Sequence, residues 1–127
     1  MCGRNEQGEL GLNDESIKKI TTPIINPFLE NIKQISCGFK HSMALSNEGE
    51  LFVFGSNGRG QIGMKEIAKI EKPTGVPSLP EIVSISCRYA YSAIIDCEGC
   101  VWTCGSNGYG QLGVADITER KIFTKLT

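Results

Sequence analysis

An all-β fold assembled from repeated sheet units is what this 127-residue sequence predicts. A segment of about thirty residues returns without a gap after a shift of fifty positions. Each copy contains short runs rich in Ile, Val, Phe and Trp, too brief for helices, with glycine clusters between them. A period near fifty with several strands per unit fits a β-propeller, in which each unit is one blade.

The repeat comes first because it governs how every motif is weighed. "IKQISCGFKHSMALSNEGELFVFGSNGRGQIG" (Ile32 to Gly63) lies over "IVSISCRYAYSAIIDCEGCVWTCGSNGYGQLG" (Ile82 to Gly113), with fourteen of thirty-two positions identical. An ungapped match that dense means duplication. The opening phrase "GRNEQGELG" (Gly3 to Gly11) is a looser copy, fifty-two positions before its next occurrence. Its two extra residues fall between Leu12 and Thr22, as a surface loop tolerates. Taking Pro23 and Pro73 as unit starts gives approximate units 1–22, 23–72, 73–122 and 123–127 of a partial propeller.

Within a unit, "IKQIS", "SMALS" and "ELFVFG" read as three strands, and "IVSIS", "SAIID" and "CVWTCG" as their counterparts. The turn "NEG" or "CEG" follows the second strand, and Gly49 or Gly99 there supplies the positive φ of a tight hairpin. After Gly63, "MKEIAKIEK" has the composition for a helical turn or two, stopped by Pro73.

"GSNGRGQIG" contains Gly58-x-Gly60-x-x-Gly63, the spacing of a dinucleotide-binding loop. That fingerprint requires a long helix opening at the loop and an acidic residue about twenty positions on. Here a short variable stretch, a proline and more strands follow instead. The phrase also recurs with its Ser-Asn prefix and Gln suffix intact. Repeated structural turns are therefore expected at Gly3, Gly8, Gly11, Gly38, Gly49, Gly55, Gly58, Gly60, Gly63, Gly99, Gly105, Gly108, Gly110 and Gly113. No cofactor is expected.

Composition narrows the function classes. A net charge of -1 argues against a broad nucleic-acid footprint, which needs a surplus of Lys and Arg. No run approaches the ~18 apolar residues of a membrane span, and the first residues lack a signal-peptide core. A cytoplasmic or nuclear chain is the expectation. The six cysteines include one C-x-x-C, Cys97 to Cys100, but there is no second such pair and His41 is the only histidine. Structural zinc needs four ligands, so no metal site is expected. Cys37 and Cys87 fall at equivalent positions, as small buried side chains would, and Cys97 and Cys100 flank a turn where they pair only under oxidation. No catalytic residue emerges either: Ser42 beside His41 recurs as Ser92 beside Tyr91, which breaks any Ser-His pairing.

The pattern "ISCGFKHSMALSNEGELFVFGSNGRGQIG" resembles the regulator of chromosome condensation repeat, I-x-x-G-x-x-H-S-x-A-L followed by a turn glycine and G-x-N-x-x-G-Q-L-G. The resemblance runs from Gly3 to Gly113. It implies blades of four antiparallel strands in a seven-bladed ring. It departs at Arg88, where the first unit has Gly38, and at Tyr91, where the first unit has His41. The resemblance implies an interaction module for a protein partner, and alternatively nucleotide exchange on a Ran-type small GTPase. It names His41, with Tyr91 in the second unit, as partner-binding candidates. A second reading of His41 is a structural histidine whose ring bonds backbone.

About two and a half units are present, where a ring of seven needs roughly 350 residues at this period. Each blade buries its faces against neighbours, so an open stack leaves apolar faces in water. Either the chain belongs to a longer propeller, or copies self-associate through those faces.

Overall fold

The computed structural model describes residues 1–127 and is built of strands alone. A short antiparallel ladder joins β1 (Gly3–Arg4) to β2 (Lys19–Ile20). Two four-stranded antiparallel meanders follow. The first full blade runs β3 (Ile32–Cys37), β4 (His41–Ser46), β5 (Leu51–Ser56) and β6 (Lys69–Gly75). The second runs β7 (Ile82–Arg88), β8 (Tyr91–Asp96), β9 (Val101–Gly105) and β10 (Arg120–Lys125). The blades keep the fifty-residue period but span 32–75 and 82–125, a phase that the prolines do not mark. No helix is long and apolar enough to cross a membrane.

Residue pattern explains the layering. Every residue of β4 is buried, because β4 is an inner strand of its own sheet and also packs on β7 of the next blade. Its repeat counterpart β8 has no blade on that side. Leu45 is 0% exposed, while its equivalent Ile95 is 37% exposed. On the opposite side Ile85 is 4% exposed in the blade junction, while Ile35 on the outer face of β3 is 46% exposed. One continuous core, including Met43, Leu45, Val53, Phe54, Ile82, Ile85 and Ile94, therefore crosses the junction. The end faces are the parts left uncovered.

The hairpin glycines behave as the turns require, with φ of 83° at Gly49 and 81° at Gly99. Two expectations fail. Residues 61–68 make turns and bends with no helix, and Pro73 lies inside β6 instead of ending an element. β6 is the outermost strand of its blade, and its register against β5 shifts between Val53 and Gly55. At an edge with a bulge, the missing proline N–H costs no ladder bond. Cys37 is exposed, unlike Cys87, because it sits on the uncovered face of β3. Burial pushes the Cys87 thiol up to about 12.

Candidate functional site

The recurring glycine phrase folds into a loop held by its own side chains. Asn57 is buried at its centre: its Oδ1 accepts from the Ile62 N–H at 3.1 Å, and its Nδ2 donates to the carbonyls of Ile67 (2.7 Å) and Met64. Gln61 Oε1 accepts the Arg59 N–H at 2.8 Å. The second copy repeats this through Asn107, bonded to Leu112, Asp116 and Thr118, and through Gln111, bonded to Tyr109. The first copy uses Asn5 and Glu9 in the same places. The N–H groups of Gly60 and Gly63 bond to Asn57 and Gly60 carbonyls. A phosphate cradle needs such N–H groups free and convergent. In this loop they are spent.

The loop also props up the next blade. A Cβ at Gly60 would lie 2.6 Å from the Arg120 carbonyl oxygen and 2.6 Å from Lys121 Cα, on β10. One at Gly8 would meet Ile70 and Glu71 on β6 in the same way. Gly63 lies against the Phe123 ring, and Gly11 against Phe54 and Pro73. Gly110 has open space where Gly60 has a neighbour, because no blade follows. Gly3, Gly55, Gly105 and Gly113 also take positive φ, whereas Gly38, Gly58 and Gly108 do not. Gly38 is needed for room: a Cβ there would collide with the His41 ring.

Between the two full blades lies a polar seam. His41 Nε2 is 2.8 Å from Ser92 Oγ, and Ser92 donates to the Gln61 carbonyl at 2.6 Å. Ser42, the equivalent of Ser92, donates to the carbonyl of Glu9, the equivalent of Gln61, at 2.8 Å. On β3, Gln34 clamps Ile85 with both amide atoms (Nε2 to O 2.8 Å, N–H to Oε1 3.2 Å), and Ser36 Oγ accepts the Cys87 N–H at 2.7 Å. Ser42 and Ser92 thus each tie their strand to the glycine loop of the unit before it.

His41 is 1% exposed, so it does not meet a partner at the surface in this structure. Burial lowers its pKa to about 4, which keeps the ring neutral. The Ser-His contact is not an activated nucleophile. Ser92 is 0% exposed and already donates to a carbonyl, and His41 Nδ1 has no partner to orient the ring. Of the two histidine readings the structural one fits, although the bond goes to a side chain of the next unit and not to backbone. Tyr91 stands at the equivalent place on the half-covered face of β8.

Asp96, Glu98 and Cys100 bring ligand atoms within 4.8 Å of one another at the β8–β9 turn. The Asp96 carboxylate is committed to its own hairpin, accepting from the Trp102 indole at 2.9 Å and from the N–H groups of Glu98 and Cys100. The indole bond, foremost, holds its pKa below the usual carboxylate value. The cluster is a turn lock.

The sequence pointed to the glycines and His41 but missed the asparagines, glutamines and serines that hold loop and seam. Their signal was present in the unvarying Ser-Asn prefix, Gln suffix and repeated Ser42/Ser92. Comparison with known proteins agrees with this architecture. Human probable E3 ubiquitin-protein ligase HERC4 is 43% identical over 61 residues, 48% of this chain and 6% of the ligase. Human X-linked retinitis pigmentosa GTPase regulator is 42% identical over 67 residues, 51% of this chain and 6% of that protein. The solved structure of yeast RCC1 (Prp20) bound to Kap60 matches 99% of this chain and 32% of its own, with TM-score 0.84 at 18% identity. Human WBSCR16 matches at TM-score 0.82 and 24% identity, over 99% of this chain and 35% of its own. The chain therefore spans about a third of the solved propellers and a far smaller share of the curated relatives. Models of the regulator of chromosome condensation (RCC1) repeat match residues 1–45 and 48–95, and separately 32–61. With more than half of its residues matched, this chain belongs to the RCC1 repeat family.

Proposed function

We propose that the chain is a protein–protein interaction module of the RCC1 propeller type. The observation that carries this reading is the division of labour between side chains. The repeated polar residues, Ser42 with Ser92, Asn57 with Asn107, and Gln61 with Gln111, are consumed in holding loops and blades, as is His41 on Ser92. The residues that differ between units, at the hairpin and loop tips, are left for a partner. Ligase chemistry is not carried over, since the similarity to HERC4 covers 6% of that protein. Nucleus and cytoplasm are the compartments that this reading suits.

A second reading is exchange on a Ran-type small GTPase. It is favoured by the fold shared with Prp20p of Saccharomyces cerevisiae, whose structure report names binding to Gsp1p and histones. Exchange works by stabilising the nucleotide-free GTPase, so it needs a broad contact face. Self-association through the end faces at Ile35 and Ile95 belongs to the same proposal, since both copy a surface that is buried inside the chain.

Crosslinking of the purified chain to captured protein partners, with the crosslinked residues mapped, tests the module reading. Crosslinks concentrated on the hairpin and loop tips are the expected result. A folded chain that yields no saturable protein partner would overturn it. A GDP-release assay with Ran separates the exchange reading, which falls if the release rate is unchanged.

A further inference from the structure

At the end of the seam the two blades leave a groove of about 400 Å³, lined by Phe39, Lys40, Arg59 and Tyr89 with Ser56 and Ser106 among the others. We propose that this groove binds an acidic segment of a partner protein, a carboxylate held between Lys40 and Arg59 and an apolar or aromatic side chain lying on the Phe39–Tyr89 stack. This inference rests on the interaction-module reading and names its surface.

Four observations carry it. First, both walls of the groove are present in this chain. It joins the β3–β4 turn, the β7–β8 turn and the Gly55–Gly63 loop, so it is not a gap left by an absent neighbour. Second, two large aromatic rings stand in solvent. Phe39 is 60% exposed and Tyr89 is 67% exposed, and they stack with centroids 5.3 Å apart at 24°. Intrablade packing does not need them there, and paired exposed aromatics make a rigid platform at low entropic cost. Third, Tyr89 holds φ at 41°, a left-handed conformation that is strained for a bulky residue. The Tyr89 carbonyl accepts the Phe39 N–H at 2.9 Å, which fixes one ring against the other across the blades.

Fourth, the charge has one sign. Lys40 and Arg59 are the charged lining residues, and no acid lines the groove. Lys40 Nζ sits 5.4 Å above the Phe39 ring. Arg59 has a side chain 68% exposed and only a 4.0 Å approach to the half-buried Glu119, a pair too weak to withhold it from a ligand. These are also the positions at which the units differ: Lys40 answers to Ala90, and Arg59 to Tyr109. The groove chemistry therefore belongs to this junction and not to the repeat. A basic, aromatic-floored groove is complementary to a carboxylate-bearing peptide. Single-stranded nucleic acid, which also stacks on aromatics, is disfavoured by a net charge of -1 and by only two lining cations.

The test is fluorescence anisotropy of the full chain with a short labelled peptide of alternating Asp and Phe. A peptide with Asn replacing Asp, and labelled oligothymidylate, serve as the other arms. The Asp peptide should bind, more weakly at high salt, and the Asn peptide should not. Lys40→Glu with Arg59→Glu should weaken binding by about tenfold or more while leaving thermal unfolding unchanged. Phe39→Ser should also weaken it, and amide shifts on titration should cluster at 39–40, 56–61 and 89–90. Equal binding by the charge-reversed chain, or tighter binding of oligothymidylate, overturns the proposal. If the Asp peptide fails while partner crosslinks persist on other tips, the groove assignment falls and the module reading stands. If the peptide binds at the groove but no protein partner is captured, the groove stands and the module reading falls.

Discussion

The imidazole of His41 reaches out of its own blade to Ser92 of the next, Nε2 to Oγ at 2.8 Å, and Ser92 passes the link on to the carbonyl of Gln61. A residue of one blade is thereby bonded to a residue fifty-one positions later, which turns back to the β5–β6 loop of the first blade. The buried polar side-chain atoms of the seam and the adjoining loops are paired, apart from His41 Nδ1 and Glu9 Oε1. Buried polar links of this kind fix the relative position of packed surfaces more than apolar contacts do.

Acid should loosen this seam through His41. The unfolded ring titrates near 6.5 and the folded ring near 4, so above pH 6.5 both are neutral and the group has no effect on stability. As pH falls from 6.5 towards 4, the unfolded chain takes up a proton that the folded chain refuses. Stability then drops by about 1.4 kcal/mol per pH unit from this group, and by about 3 kcal/mol at most. Urea midpoints measured across that window, compared with His41→Gln, check it: the variant should lack this part of the slope.

Asn57→Ala should cost about 2–4 kcal/mol, since it strands the Ile62 N–H and the Met64 and Ile67 carbonyls at once. Asn57→Asp keeps the acceptor for Ile62 but sets a buried carboxylate oxygen against the Met64 and Ile67 carbonyls, so it should cost at least as much as Ala. Denaturant midpoints give the ranking.

Gly60→Ala and Gly110→Ala make a matched pair. Both glycines have positive φ, 77° and 72°, so backbone strain is common to the two. Only at Gly60 does the added methyl strike β10. Gly60→Ala should therefore be the more destabilising by about 1–3 kcal/mol. Equal effects on thermal unfolding would show that the loop does not brace the next blade.

Leu45→Asp and Ile95→Asp occupy equivalent strand positions with opposite surroundings. The first places a carboxylate in the core and should abolish cooperative unfolding. The second should leave the fold intact and suppress concentration-dependent association in sedimentation. Unchanged association would place it on a surface other than the end face of β8.

How much was legible can be followed residue by residue. Gly49 and Gly99 announced their hairpins, and the short apolar-bounded run "IKQIS" announced β3, because these signals act over a few residues. Pro73 misled for the same reason: a proline ends a helix locally, but an edge strand tolerates it, and edges exist only once a sheet has formed. Cys37 and Cys87 look alike in sequence and differ in burial, since one faces a neighbouring blade and the other does not. The pairing of His41 with Ser92, and of Gly60 with Arg120, lay beyond any reading of adjacent residues.

The repeat by itself determined the fold class, three strands of each full blade and the hairpin turns, because period and turn chemistry are written in local sequence. Only the tertiary structure decided which polar groups are spent between blades and which stay open to a partner. Burial and hydrogen bonding depend on the blade packed alongside, and that neighbour is fifty residues away along the chain.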